Sequence, residues 1–332
     1  MKAFIPLATL CLAGPALAQQ APVIDMHMHV EPVGDDPLVK YCLPLQAVEP
    51  PLDHTRPVVD QYFRSWLNPT CEEFLEPVAS DEELLTTTLL RMRANNTIAV
   101  LQGEADRVRE WMEAAPGRFI PSLKFSVGRD NHEDVSWVRE AFANGGFIML
   151  GEVGNQYRGV APNDPRMDAI WAMAAELDVP VGYHSGLGPP GITPTLYPNF
   201  SVAAGNPLLF DDVLKRHPNL RISIQHMAMG FHDELKMMMW TYPTLYVELS
   251  GPITGSEDFH SYLKDLIDAR LENRILFGVD AMFWPDLLDQ AIAEIENAEY
   301  LSEDQKRKIL FENAVRFLNL NRNDALERAV NN

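Results

Sequence analysis

From Val23 onward, short apolar runs rich in valine, isoleucine and phenylalanine alternate with amphipathic stretches. The runs cover residues 23–28, 97–101, 119–125, 147–150, 179–183, 220–224, 244–249 and 274–279, which makes eight candidate strands. Continuous apolar runs bounded by breakers suit strands covered on both faces, as in a parallel sheet. Helical spacing fills the intervals. Ser80-Asp81-Glu82-Glu83 reads as a capping box opening a helix to about residue 93. Asp164-Pro165 places a cap residue before a first-turn proline, and Met167, Ile170, Met173, Ala174 and Leu177 follow on one face. Ser302-Glu303-Asp304-Gln305 caps a last helix carrying Ile309, Leu310, Val315, Phe317 and Leu318. Further helices are predicted over 104–115, 131–144, 207–216, 229–240, 256–271 and 286–297.

Eight strands each followed by a helix is the count of a closed α/β barrel, the (β/α)8 TIM barrel. A doubly wound open sheet is the alternative arrangement. The alternation breaks once, between Val30 and Ala79, where eight prolines interrupt any period. A loop that long inside a compact domain is usually a lid or binding loop. Residues 31–79 are therefore expected to form a lid-like insertion over the end of the barrel that the first strand leads to.

The first 18 residues are of another kind. Lys2 gives a positive start, residues 3–15 are uncharged and apolar, and Ala16-Leu17-Ala18 is a small-x-small cleavage pattern before Gln19. This reads as a secretory signal peptide, leaving residues 19–332 as a single mature domain exported to the periplasm or medium. No other stretch is apolar enough for membrane insertion. Export changes the meaning of the cysteines. Removing Cys11 with the leader leaves Cys42 and Cys71, a disulfide candidate in an oxidising compartment, with two free thiols as the other possibility.

The chain has 332 residues, 46% of them hydrophobic, enough for one large core. Twenty-seven basic against 47 acidic residues give a net charge of −20. Such a surface repels phosphate backbones and anionic membranes, which argues against nucleic-acid partners and leaves a small-molecule substrate.

The chemistry gathers at strand ends. His27 and His29 are two apart on the first strand, so both imidazoles point to one side. Strand four runs into Gly151-Glu152-Val153-Gly154, strand five ends at His184, strand six at Gln225-His226, and strand eight at Gly278-Val279-Asp280. In a barrel all of these lie on the C-terminal rim, where active sites are built. Imidazoles and carboxylates converging there suit Zn²⁺ or a similar divalent ion such as Mn²⁺ or Fe²⁺. Arg158 after strand four, Glu248 at the end of strand seven and Trp284 after strand eight are candidate substrate contacts; for Glu248 a structural hydrogen bond is the other reading. Lys124, near the end of strand three, faces either the site or the helices. Ser185 is expected to be a loop residue rather than a nucleophile.

These residues resemble the amidohydrolase superfamily, in particular its amidohydrolase-2 branch. The resemblance runs from the H-x-H strand to Glu312-Asn313-Ala314-Val315-Arg316-Phe317-Leu318, which matches that branch's terminal helix. It implies that His27, His29 and His184 bind metal, that Asp280 binds metal and shuttles a proton, and that His226 is either a ligand to a second ion or an acid–base residue. The Gly-Glu-Val-Gly setting of Glu152 resembles the bridging carboxylate of TatD-like relatives, which hold two metals. A bridging Glu152 implies a hydrolase acting on a small amide, lactone, ester or phosphoester. A Glu152 that only orients a histidine leaves room for a non-redox decarboxylase. A barrel that only binds a ligand is the third class.

Overall fold

The computed structural model describes residues 21–34, 40–43, 52–67, 69–128, 135–188, 191–251 and 257–331. The expected leader, parts of the insertion, and the predicted helix starts at 131 and 256 lie outside the described residues.

All eight predicted strands are present: β1 Val23–His29, β2 Thr97–Gly103, β3 Phe119–Phe125, β4 Met149–Val153, β5 Val181–Tyr183, β6 Ile222–Ile224, β7 Leu245–Glu248 and β8 Ile275–Leu276. They pair in parallel in chain order. The two edges then meet. Met26 N–H donates to Phe277 O at 2.9 Å, Asp280 N–H donates to His27 O at 2.7 Å, and Met28 bridges Ala281. The sheet is thereby a nearly closed (β/α)8 barrel, and every strand ends on one rim.

Two strand boundaries differ from the apolar runs in a way that matters for the site. β4 begins at Met149 and continues through Gly151 and Glu152, which hydropathy alone leaves outside it. A Cβ on Gly151 would lie 3.2 Å from the backbone of Gly182 in β5, so the close approach of the two strands there depends on glycine at 151. β8 is shorter than its run because the chain after Leu276 turns onto β1 through the bonds just described.

The core forms two buried clusters. Ile24, Met26, Ile98, Val100 and Ile120 join Phe311 and Phe317 of the C-terminal helices in one. The other strand residues pack with Leu84, Met92, Val108 and Trp111 of the surrounding helices in a larger one. The Ser302 capping box forms as predicted, with Gln305 N–H 3.3 Å from Ser302 Oγ. A helix that the periodicity did not suggest, Arg322–Asn331, follows it. Arg118, just before β3, donates to both Thr97 O at 3.0 Å and Ala329 O at 3.3 Å. This helix therefore closes the N-terminal end of the barrel and leaves the other end for chemistry.

The proline-rich insertion holds more regular structure than its sequence suggests. Tyr41–Cys42 and Phe74–Leu75 form an antiparallel ribbon, and Val58–Leu67 is a helix. Cys42 and Cys71 are bridged, with Cα atoms 5.8 Å apart. Tyr41 Oη donates to Gly251 O, after β7, at 3.3 Å, and the Tyr41 ring packs 5.2 Å from Trp284, after β8. A Cβ on Gly191, after β5, would meet the Tyr62 ring at 2.4 Å. The insertion thus rests on the loops of the C-terminal rim. No helix among the described residues is long and apolar enough to cross a membrane.

Candidate metal centre

β1 brings His27 and His29 to the rim from one strand, and their Nε2 atoms are 3.0 Å apart. Glu152 comes from β4, His184 from the end of β5, His226 from the turn after β6, and Asp280 from the segment after β8. Glu152 Oε2 lies 3.4 Å from His29 Nε2 and 4.0 Å from His27 Nε2. Its other oxygen lies 3.6 Å from His226 Nε2 and 4.0 Å from His184 Nε2. Asp280 Oδ1 is 3.2 Å from His29 Nε2 and 3.6 Å from His27 Nε2. Ligand atoms of three overlapping triplets (His27, His29 and Glu152; His27, His226 and Asp280; Glu152, His184 and His226) each gather within 4.8 Å. All six residues predicted as ligands are brought together.

A layer of partners behind the cluster aims the rings. His27 Nδ1 is 3.3 Å from Glu248 Oε2 and 2.9 Å from Ser250 Oγ, and the Gln225 side chain packs beside the ring. A carboxylate can only accept, so Nδ1 carries the proton and Nε2 presents its lone pair. His226 Nδ1 donates to Ser250 O at 3.3 Å, and His184 Nδ1 to Gln156 Oε1 at 2.9 Å, so both rings turn Nε2 to the cluster. His29 Nδ1 lies 3.7 Å from Glu31, which Lys124 Nζ grips. Asp25, fully buried, accepts from His27 N–H at 2.9 Å and Val279 N–H at 3.0 Å, tying β1 to the strand that brings Asp280.

The backbone is strained where two of these side chains are placed. His226, Met227 and Ala228 take three successive positive φ values, and Asp280 has φ 59°. Left-handed conformations in non-glycine residues each cost about 1 kcal/mol or more and tend to mark functional sites. Hydrogen bonds hold them, from Met229 N–H to His226 O at 3.0 Å and from Asp280 N–H to His27 O.

The electrostatics are those of a cation site. Burial drops His184 to about 3, so it stays neutral. Burial opposes charge on His226 and His29 as well, but Glu152 and Asp280 lift His226 to about 9, and Asp280, Glu152 and Glu31 raise His29 well above its usual range. Despite its burial, the histidines beside it pull Glu152 far below the carboxylate range. The two imidazole nitrogens 3.0 Å apart, with Glu152 and Asp280 beside them, leave a place that suits a cation. Nitrogen and oxygen donors aimed at one point by partners on their far sides fit a divalent metal.

The remaining predictions fare differently. Glu248 does not line the open side. It is 1% exposed and lies behind His27, its carboxylate taken up by His27 and by Ser250 N–H and Oγ at 2.6 and 2.7 Å. A Cβ on Gly278 would fall 1.8 Å from Glu248 Oε1, so glycine there makes room for it. Arg158 is exposed at the end of the turn Asn155–Arg158, and its neighbours Gln156 and Tyr157 reach His184 instead. Trp284 is half-buried beside Tyr41, next to the rim. Ser185 donates to Gly205 O and is a loop residue as expected. Sequence reasoning missed Asp25, Glu31, Gln156, Tyr157, Gln225 and Ser250. Asp25, Glu31 and Gln225 lie within two residues of a predicted ligand, which is the one signal that pointed to them.

Four histidines and two carboxylates on the rim of a (β/α)8 barrel form a possible metal site. The family model for amidohydrolases matches residues 24–320, and the chain belongs to that family. No curated protein matches it. Among solved structures it is similar to an uncharacterised TIM-barrel protein from Bordetella bronchiseptica, with 20% identity, TM-score 0.62, and coverage of 90% of this chain and 99% of the other. It is also similar to 2,6-dihydroxybenzoate decarboxylase complexed with 2,6-dihydroxybenzoate, with 18% identity, TM-score 0.53, and coverage of 91% and 100%. A zinc-bound amidohydrolase from Burkholderia multivorans shares 14% identity, TM-score 0.54, with coverage of 91% and 100%. At these identities the likeness is one of fold.

Proposed function

We propose that this chain is a metal-dependent hydrolase that cleaves a small amide, lactone, ester or phosphoester with water, using one or two zinc ions. The observation that carries the reading is the placement of Glu152. One oxygen faces His27 and His29, and the other faces His184 and His226. A carboxylate disposed in this way would hold two ions, with Asp280 beside the first pair. The nitrogen-rich donor set favours zinc, the ion in the Burkholderia multivorans amidohydrolase of the same fold.

A divalent ion held by these residues would polarise a carbonyl or phosphoryl oxygen and lower the pKa of a water towards about 7. The chain's own part is proton handling and exclusion of solvent. Asp280, its side chain 25% exposed, is the most open of the ligands and takes the proton from the attacking water, then returns it to the leaving group. His226 serves the second ion, or acts as an acid–base residue where only one ion binds. The insertion, resting on the rim through Tyr41 and Tyr62, restricts the entrance to a small molecule. The Cys42–Cys71 bridge supports an exported protein, since such bonds persist in oxidising compartments.

The second reading is a metal-dependent non-redox decarboxylase, which the fold shared with 2,6-dihydroxybenzoate decarboxylase favours. Elemental analysis of the purified protein and of Glu152→Gln separates the two. About two equivalents of metal falling to about one is the expected result. One equivalent unchanged by the substitution would make Glu152 a positioning residue and bring the decarboxylase forward. No bound metal would leave a ligand-binding barrel.

A further inference from the structure

We propose that the Tyr157 hydroxyl is a substrate-facing hydrogen-bond donor, held on His184 Nε2 until a divalent ion takes that nitrogen. This rests on the metal-site reading above. Gln156 fixes the tautomer of His184. Its amide nitrogen donates to Gly186 O at 2.7 Å, so its oxygen is the atom 2.9 Å from His184 Nδ1. Nδ1 therefore carries the proton, and Nε2 carries a lone pair. Tyr157 Oη lies 2.9 Å from that Nε2, which makes the phenol the donor.

One lone pair cannot serve a phenol and a cation together. When His184 ligates an ion, the Tyr157 hydroxyl loses its acceptor, but the ring has little freedom to withdraw. Its centroid is 4.5 Å from His184, 4.9 Å from Tyr197 and 5.4 Å from Phe200. Its backbone is fixed by Tyr157 N–H donating to Gly154 O at 3.1 Å, between a buried Gln156 and the rim. The O–H is left aimed at the space beside the cluster, where the carbonyl or phosphoryl oxygen of a substrate accepts it. A fixed donor directed at an oxygen that gains negative charge is the most effective form of electrostatic assistance. Arg158, the neighbour that sequence reasoning favoured, is turned to solvent.

Calorimetry on the full chain tests this in two stages, comparing wild type with Tyr157→Phe, which keeps the ring packing. The metal-free proteins are titrated with Zn²⁺ alone; the loaded proteins, freed of excess ion, are then titrated with inorganic phosphate. Zn²⁺ should bind Tyr157→Phe as tightly as wild type or a few-fold tighter, because no hydrogen bond is displaced. Phosphate should bind the variant ~10-fold more weakly, the loss of one hydrogen bond to a charged acceptor. Zn²⁺ affinity falling tenfold would make Tyr157 a ligand or a prop for His184, and equal phosphate affinities would remove its substrate role. A wild type that binds no Zn²⁺ overturns the metal-site reading itself, and the proposal with it. The ultraviolet difference spectrum on Zn²⁺ binding needs no anion. Wild type should show a tyrosine shift without phenolate absorption that Tyr157→Phe lacks, and its absence overturns the proposal.

Discussion

Glu248 Oε2 faces His27 Nδ1 at 3.3 Å from a position with 1% exposure, so the residue acts on the site through His27 and through Ser250, which it also holds. The expected consequence is a change in metal binding rather than in substrate recognition. Glu248→Gln should weaken metal affinity ~10–100-fold, the usual effect of removing a ligand's partner. Gly278→Ala should do the same by pushing Glu248 aside. Competition with a chelator measures both. A raised KM at unchanged metal affinity would return Glu248 to the substrate side.

His184→Ala and Asp280→Ala should each abolish metal-dependent turnover while leaving a folded barrel. Both side chains lie on the rim, outside the apolar clusters that hold the strands. Circular dichroism and steady-state assays together check this. Wild-type turnover in either variant would sink the assignment of these residues.

The disulfide closes a loop of 29 residues within the insertion. Cys42→Ser with Cys71→Ser should cost about 3.6 kcal/mol in the chain-entropy model, felt mainly by the insertion. Limited proteolysis should then cut within residues 31–79 before it cuts the barrel. An unchanged cleavage pattern would show that rim contacts alone secure the insertion.

His232 packs against the Tyr262 ring, and burial pushes its pKa down to about 4, with Asp265 and Asp233 only partly opposing. The unfolded chain takes up this proton near pH 6.5, whereas the folded one does not until about pH 4. This contribution to stability is complete above 6.5, declines as the pH falls through that window, and levels off below it. His232→Gln should therefore lose less stability than wild type between pH 7 and pH 5. Urea midpoints at the two values measure it, and parallel losses would exclude His232 as a source of acid sensitivity.

The eight strands, the helix caps at Ser80 and Ser302 and all six rim residues were legible in the chain. Apolar runs and cap residues act over a few neighbours, and a parallel barrel sends every strand end to the same rim. Glu152 could be singled out because Gly151 and Gly154 frame it. The partners were not legible. Ser250, Gln156 and Tyr157 touch His27, His226 or His184 across gaps of 24 to 223 residues, and no local period records such contacts. Glu248 was visible as a strand-end carboxylate, but its direction was not. Strand alternation says that a side chain leaves one face, whereas the room beside Gly278 and the proton on His27 Nδ1 decide what it meets. The order of the barrel is written in local hydrophobic pattern. The aim of its histidines is set by packing between distant strands, where closeness in space has no counterpart along the chain.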